Sequence, residues 1–93
     1  MFYIYILYSE HSDKYYVGHS DHPERRLMEH NASQHLTYTS KHRPWKLKCF
    51  FPVSENRGKA IQIEKYIKSQ KSKAFIKKII ENKNDKIFFL SAG

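Results

Sequence analysis

Cysteine, glycine and proline are scarce in this sequence. Its 93 residues include one cysteine, three glycines and three prolines. Cys49 alone cannot form a disulfide within the chain, and one thiolate cannot supply a cysteine-rich zinc site. We find no internal repeat and no low-complexity linker. The length predicts a single domain over residues 1–93 with one modest core.

Long apolar runs are also missing. No run approaches the roughly 20 residues that a membrane-spanning helix requires. The apolar N-terminus, residues 1–10, lacks the basic segment and the small-residue cleavage site of a signal peptide. Together with the single cysteine, this favours a cytoplasmic location. Hydrophobic residues still make up 40% of the chain, which is enough for a globular fold.

Acidic residues are the minority charge. The chain has nine acidic and 17 basic residues, which gives a net charge of +8. Such a surface attracts polyanions, and nucleic acid is the commonest one. The alternative is a lysine-rich surface that only keeps the protein in solution. Binding to a membrane surface is not expected, because the lysines are spread along the chain and not gathered on one amphipathic segment.

The hydrophobic pattern predicts an α+β fold, with a small three-stranded antiparallel sheet flanked by helices in the order β-β-α-β-α-α. β-branched and aromatic residues predict strands over residues 2–9, 15–18 and 45–51. The first two strands are close enough in sequence to pair as a hairpin. Polar residues 31–44 are predicted to form a loop, and the apolar residues 87–90 to pack back on the core.

Capping residues indicate where the helices begin. Asp21 can cap the first helix, with Pro23 in its first turn and Glu24 completing a capping box. Ser72 can cap the third helix. The predicted helices run from 23 through 30, from a start within 54–58 to about residue 69, and from 73 to 81.

Arg26 and His30 are four residues apart on the first helix, so their side chains lie on one face. Together they offer a fixed cation and a group that exchanges a proton near neutral pH. An ordinary solvated face is the alternative interpretation of such a pair.

Glu64 interrupts the apolar stripe of the second helix, which is defined by Ala60, Ile61, Ile63 and Ile67. A carboxylate in such a stripe is costly unless it is paired or binds a metal ion. Glu64 could instead lie at the edge of the stripe and pair with Lys68. Both interpretations stay open at this point.

Three tyrosines and a glycine on the first two strands also allow both a structural and a functional interpretation. By the period of two, Tyr3 and Tyr5 share one face of the first strand, and Tyr16 lies on the second strand. Taken singly, strand tyrosines are packing residues with a hydrated hydroxyl. Gly18 is either a turn glycine or a place where a phosphate or a neighbouring side chain approaches the backbone.

In combination, these residues resemble the GIY-YIG nuclease family. Residues 3–5, Tyr-Ile-Tyr, and residues 16–18, Tyr-Val-Gly, resemble its two tripeptide motifs. The rest of the pattern is matched by Arg26, His30 and Glu64. Each tripeptide is weak alone, but the elements occur in the family's order and spacing.

Within that family, residues 25–31 and 38–47 resemble the small stand-alone bacterial predicted endonucleases. The resemblance covers about residues 2–80. Two positions depart from the pattern: Tyr3 stands where the first motif has glycine, and His19 stands where some relatives carry lysine.

The resemblance implies an endonuclease that hydrolyses phosphodiester bonds in nucleic acid, in DNA more than RNA, with low sequence specificity. Glu64 would hold one Mg²⁺ or Mn²⁺ ion, and Arg26 the scissile phosphate. The general base would be Tyr5, Tyr16 or His30. We expect these five side chains to converge on one concave face of the sheet.

Further substrate contacts are expected from Gly18, His19, Asn31, Lys41, Arg43, Lys46 and Lys65. Two alternatives to an enzyme are considered for this chain. One is an inactive nucleic-acid-binding module of the same fold, and the other is a protein-interaction domain with a basic surface for acidic partners.

Overall fold

The computed structural model describes residues 1–32 and 39–82, and it has the predicted fold class and element order. Its elements are β1 (Phe2–Ser9), β2 (Lys14–Ser20), α1 (Pro23–Ala32), a 3-10 helix (Thr39–His42), β3 (Lys46–Ser54), α2 (Arg57–Ser69) and α3 (Lys73–Glu81). The 3-10 helix lies within the predicted loop. The prediction for residues 87–90 lies outside the described residues. No helix in the described ranges is long and apolar enough to cross a membrane.

The three strands form one antiparallel sheet in the order β2-β1-β3. The central position of β1 explains why its residues are apolar on both faces. The predicted hairpin of β1 and β2 is present, with Tyr5 opposite Gly18 and Ile4 opposite His19. Because β2 is an edge strand, side chains from both faces of the sheet can meet around it.

Alternation along β1 assigns the helices to opposite faces of the sheet. Ile4 and Ile6 pack in a cluster with residues of α2 and α3: Ile63, Ile67 and Ile79. Tyr5 and Leu7 point the other way and pack with Trp45 and with Leu27 of α1. One face of the sheet is therefore covered by α1 and the other by α2 and α3.

The helix caps only partly follow the prediction. Ser72 caps α3 as predicted, because its hydroxyl accepts a hydrogen bond from the backbone of Phe75. The prediction of Asp21 as the cap of α1 is wrong. The ring nitrogen Nδ1 of His22 accepts from the backbone N–H of Arg25 at 3.2 Å, and Asp21 pairs with the Arg25 guanidinium instead.

Candidate active site

Tyr5 is the centre of the α1 side of the candidate site. It is 1% exposed, and its hydroxyl oxygen lies 2.9 Å from Nε2 of His30. The charge of the Arg26 guanidinium is within electrostatic reach of this hydroxyl. Burial and the neighbouring Tyr16 phenol raise the pKa of Tyr5 to about 12, although Arg26 opposes the rise. Tyr5 therefore keeps its proton at neutral pH.

His30 is a neutral hydrogen-bond partner in this cluster. It is 6% exposed. Burial, and then the charge of Arg26, lower its pKa to about 4. Because the Tyr5 phenol keeps its proton and the His30 ring is neutral, the Tyr5 hydroxyl can donate to an unprotonated Nε2 of His30. Tyr5 and His30 thus form a hydrogen-bonded pair, with the charge of Arg26 close to both.

Gly18 allows the close approach of a neighbouring side chain, which is one of the two roles that its position suggested. A β-carbon at residue 18 would lie 2.5 Å from Cζ and 2.5 Å from the hydroxyl oxygen of Tyr5. No glycine in the described part of the chain has a positive φ, so Gly18 is not required by a left-handed turn. Any larger residue would displace the Tyr5 ring.

Arg26 presents a charge at the border of this cluster. Its side chain is 40% exposed, and its Nη1 lies 2.7 Å from Oε1 of Glu29. The hydrogen bond with Glu29 comes first among the effects that raise its pKa. Arg26 and His30 are both close to the Tyr5 hydroxyl, His30 through a hydrogen bond and Arg26 through its charge, which agrees with a common helix face.

Glu64 is half-buried and both of its carboxylate oxygens have partners. Oε1 lies 2.6 Å from Nδ1 of His19, and Oε2 lies 2.8 Å from Nζ of Lys68. The Glu64 side chain is 17% exposed. The ion pair with Lys68 was one of the two sequence interpretations, whereas the contact with His19 was not foreseen.

Lys68 connects Glu64 to the tyrosines. Its Nζ lies 5.2 Å from the centroid of the Tyr16 ring, a cation–π distance. The Tyr16 ring in turn lies 4.9 Å from His30 and 6.3 Å from Tyr5, between ring centroids. The sequence offered one signal for this role: Lys68 is one helical turn beyond Glu64.

The expectation that all five side chains lie on one face of the sheet is wrong. Tyr5 and His30 are on the face covered by α1, while Glu64 extends from α2 on the opposite face. The two groups of side chains approach one another around β2. This is possible because β2 is at the edge of the sheet, and no further strand lies beyond it to keep the two faces apart. The Glu64 charge contributes to the raised pKa of Tyr5, so the carboxylate is within electrostatic reach of the phenol.

The other residues expected to touch substrate have various surroundings. The Asn31 amide donates to the backbone oxygen of Trp45 at 3.0 Å and accepts from its N–H at 2.7 Å, which fixes the chain before β3. Arg43 donates to the Asn31 carbonyl, and Lys46 pairs with Glu10 at 2.7 Å. Two further lysines, Lys41 and Lys65, are exposed. Their contacts with substrate stay predictions.

The donor set at Glu64 fits a hard divalent cation with one protein ligand. No group of three His, Cys, Asp or Glu side chains that could hold a metal ion occurs within residues 1–32 and 39–82. A carboxylate has about four lone-pair positions, so Glu64 can accept a cation in addition to His19 and Lys68. Mg²⁺ typically takes one or two carboxylates and completes its shell with water and phosphate oxygens.

Comparisons with known proteins agree on one family. The family described as "GIY-YIG catalytic domain" matches residues 1–79. A "Structure-specific endonuclease subunit SLX1" from Phaeosphaeria nodorum is 33% identical over 64 residues, which cover 64% of this chain and 18% of that protein. The chain thus spans less than a fifth of the length of this curated relative. No solved structure matches the chain.

Proposed function

This chain belongs to the GIY-YIG catalytic domain family, and we propose that it is a metal-dependent endonuclease that hydrolyses phosphodiester bonds in DNA. The observation that carries the proposal is the meeting of Glu64 with the tyrosine cluster around β2, through the Lys68 contacts at 2.8 Å and 5.2 Å. A carboxylate, two cations and two phenols from four elements have no evident packing reason to meet there.

Phosphodiester hydrolysis needs charge stabilisation on the phosphoryl oxygens. Arg26 suits this task, because it is partly exposed and Glu29 holds it beside Tyr5. A guanidinium can bind two phosphoryl oxygens at once. We therefore assign Arg26 to the scissile phosphate.

The reaction also needs a group that takes a proton from the attacking water. Burial disfavours the phenolate of Tyr5, whose pKa is about 12. The imidazole of His30 is buried, accepts from Tyr5, and with a pKa of about 4 is a weak base. Tyr16 is half-buried, and its hydroxyl makes no hydrogen bond to another described residue. Lys68, the partner of Glu64, lies over this ring. We assign the base role to Tyr16.

Glu64 would hold the divalent ion, Mg²⁺ or Mn²⁺, with water and substrate phosphate as the remaining ligands. When bound, the ion would supply Lewis-acid stabilisation of the phosphoryl charge. His19 and Lys68 keep the carboxylate directed toward the edge of β2 by their bonds at 2.6 Å and 2.8 Å.

DNA is proposed as the substrate because the family that the sequence resembles includes homing, restriction and repair nucleases. Low sequence specificity is proposed because the sequence contains no recognisable base-reading element. The net charge of +8 would supply affinity without selecting a sequence.

The test is incubation of the purified protein with branched, single-stranded and duplex DNA and with matched RNA strands. Each is incubated with Mg²⁺, with Mn²⁺ or with a chelator. We expect cleavage of DNA with either metal and none with the chelator. Binding without cleavage under every condition would identify the chain as an inactive nucleic-acid-binding module. If the protein neither binds nor cleaves any of these nucleic acids, a protein-interaction domain would be favoured.

A further inference from the structure

A cavity of about 370 Å³ opens beside the candidate active site. It lies between the edge strand β2 and the connection from α2 to α3. Two of its lining residues, Tyr16 and Lys68, also belong to the cluster that contains Glu64. The cavity is therefore continuous with the site, and any strand held at Arg26 and Glu64 passes close to it.

The walls of the cavity combine aromatic, aliphatic and cationic groups. Tyr15 and Tyr16 supply aromatic groups from the two faces of the β2 edge, and Ile67 and Ile76 supply an aliphatic wall. Tyr15 is held in place by the Tyr8 ring, with the two centroids 4.8 Å apart. Apolar walls with a few charged groups at the border are typical of sites for aromatic ligands that carry charge.

Lys71 is the second cation of the cavity, and its geometry is unusual. Its φ is 48°, a left-handed conformation that residues other than glycine rarely adopt. The backbone N–H of Lys71 bonds to the Lys68 carbonyl at 3.2 Å, which ends α2 and turns the side chain toward the cavity. Within residues 1–32 and 39–82, the Lys71 ammonium has no ion pair or hydrogen bond. Among the described residues, nothing compensates this positive charge at an apolar pocket.

We propose that this cavity binds one unpaired nucleotide of the substrate strand, adjacent to the scissile phosphate. The base packs between the tyrosine rings at the β2 edge and the aliphatic wall, and a flanking phosphate pairs with Lys71. The inference rests on the proposed nuclease function and deepens it by naming a substrate class. The volume is at the lower end of the range of about 300–1,000 Å³ for ligand pockets, so it admits a single nucleotide and not a duplex.

The consequence is a preference for DNA that has an unpaired nucleotide next to the cleaved bond. A base inside an intact duplex must first be unstacked and unpaired, which costs a few kcal/mol per base. Flaps, gaps and branch points offer an unpaired base at no such cost. Discrimination therefore comes from the structure of the DNA and not from its sequence.

The first experiment measures binding in chelator, where no cleavage occurs, by fluorescence anisotropy of labelled flap, gapped and intact duplex DNA. Lys71→Gln is expected to weaken binding of flap and gapped DNA by about tenfold and of intact duplex by about twofold or less. The matched control is Lys59→Gln, which removes an exposed lysine of α2 that does not line the cavity. It should affect the three DNAs equally.

The second experiment locates the base. The fluorescent base 2-aminopurine is placed at successive positions beside the branch point, and we expect its emission to change on binding at one position only. Ile76→Trp, which fills the cavity, should abolish that change. If Lys71→Gln behaves as Lys59→Gln, or if no single position responds, the subsite proposal is wrong.

These outcomes are separable from failure of the nuclease proposal. If the protein cleaves DNA with Mg²⁺ but Lys71→Gln shows no selective loss of binding, only the subsite is refuted. If binding depends on Lys71 and on the unpaired base but no metal supports cleavage, the subsite stands and the nuclease function is refuted.

Discussion

Gly18 and Tyr5 lie opposite each other on paired strands, and the Tyr5 phenol occupies the space that a β-carbon at residue 18 would need. The distance to that position is 2.5 Å from both Cζ and the hydroxyl oxygen. This contact lets the phenol reach the Arg26 and His30 side chains across the face of the sheet.

We expect Gly18→Ala to lower the free energy of unfolding by about 1–3 kcal/mol, as overpacking typically does. Urea denaturation measures this change. In a Tyr5→Leu background, which lacks the obstructing ring atoms, the same substitution should cost clearly less. Equal costs in the two backgrounds would show that the glycine is needed for another reason.

We expect Tyr5 to contribute mainly to stability and Tyr16 mainly to the cleavage rate. Tyr5→Phe leaves Nε2 of buried His30 without its partner, so we expect a loss of about 1–3 kcal/mol in stability. Tyr16→Phe should change stability by about 0.5 kcal/mol or less and slow metal-dependent cleavage by about 100-fold or more. Single-turnover rates at saturating DNA measure the second effect. If Tyr16→Phe protein cleaves at the normal rate, Tyr16 is not the general base.

Glu64→Gln should abolish metal-dependent cleavage while the protein stays folded and still binds DNA. The amide keeps the shape of the carboxylate but is a poor ligand for a hard cation. Loss of the exposed Lys68 pair costs only about 0.3–0.5 kcal/mol. Mn²⁺ binding, followed by its paramagnetic effect on water relaxation, provides a readout independent of activity. Glu55→Gln, at an exposed carboxylate before α2, is the matched control. Normal cleavage by Glu64→Gln protein would refute the metal assignment.

Stability should fall as the solution is acidified through the range in which an ordinary histidine takes up a proton. The pKa of His30 is about 4 in the folded protein against an ordinary 6.5. Between these values the unfolded chain binds more protons, so stability is complete above pH 6.5 and decreases toward pH 4. The decrease is up to about 3 kcal/mol.

Denaturation curves across this range, with His30→Gln and His11→Gln, test the assignment. The free energy of unfolding of the His30→Gln variant should depend less on pH than that of the parent protein. The His11→Gln variant, changed at an exposed position, should show the same pH dependence as the parent. The lowered pKa of carboxylates such as Glu29 affects stability only below an ordinary value of 4.5. An unchanged slope in His30→Gln would mean that another group causes the pH dependence.

DNA affinity should fall steeply with salt, because lysine and arginine contacts with phosphate release counterions. A plot of the logarithm of affinity against the logarithm of salt concentration, measured in chelator, gives the number of phosphates neutralised. Lys65→Gln, at an exposed lysine beside Glu64, should reduce the slope by about one. A flat dependence would remove nucleic acid as the partner.

The sequence by itself determined the element order, the hairpin and the Ser72 cap, because each depends on residues close together in the chain. Alternation placed Tyr5 and Ile4 on opposite faces of β1 for the same reason. The motif residues could also be named, since their order and spacing are local properties of the sequence.

Only the tertiary structure decided how those residues meet. Glu64 and Tyr5 belong to opposite faces of the sheet, and they approach each other because β1 takes the central position and leaves β2 at the edge. The contact of His19 with Glu64 and the raised pKa of Tyr5 depend on burial and on distances between segments far apart in sequence. Strand order and burial result from packing the whole chain, so no local pattern of residues could reveal them.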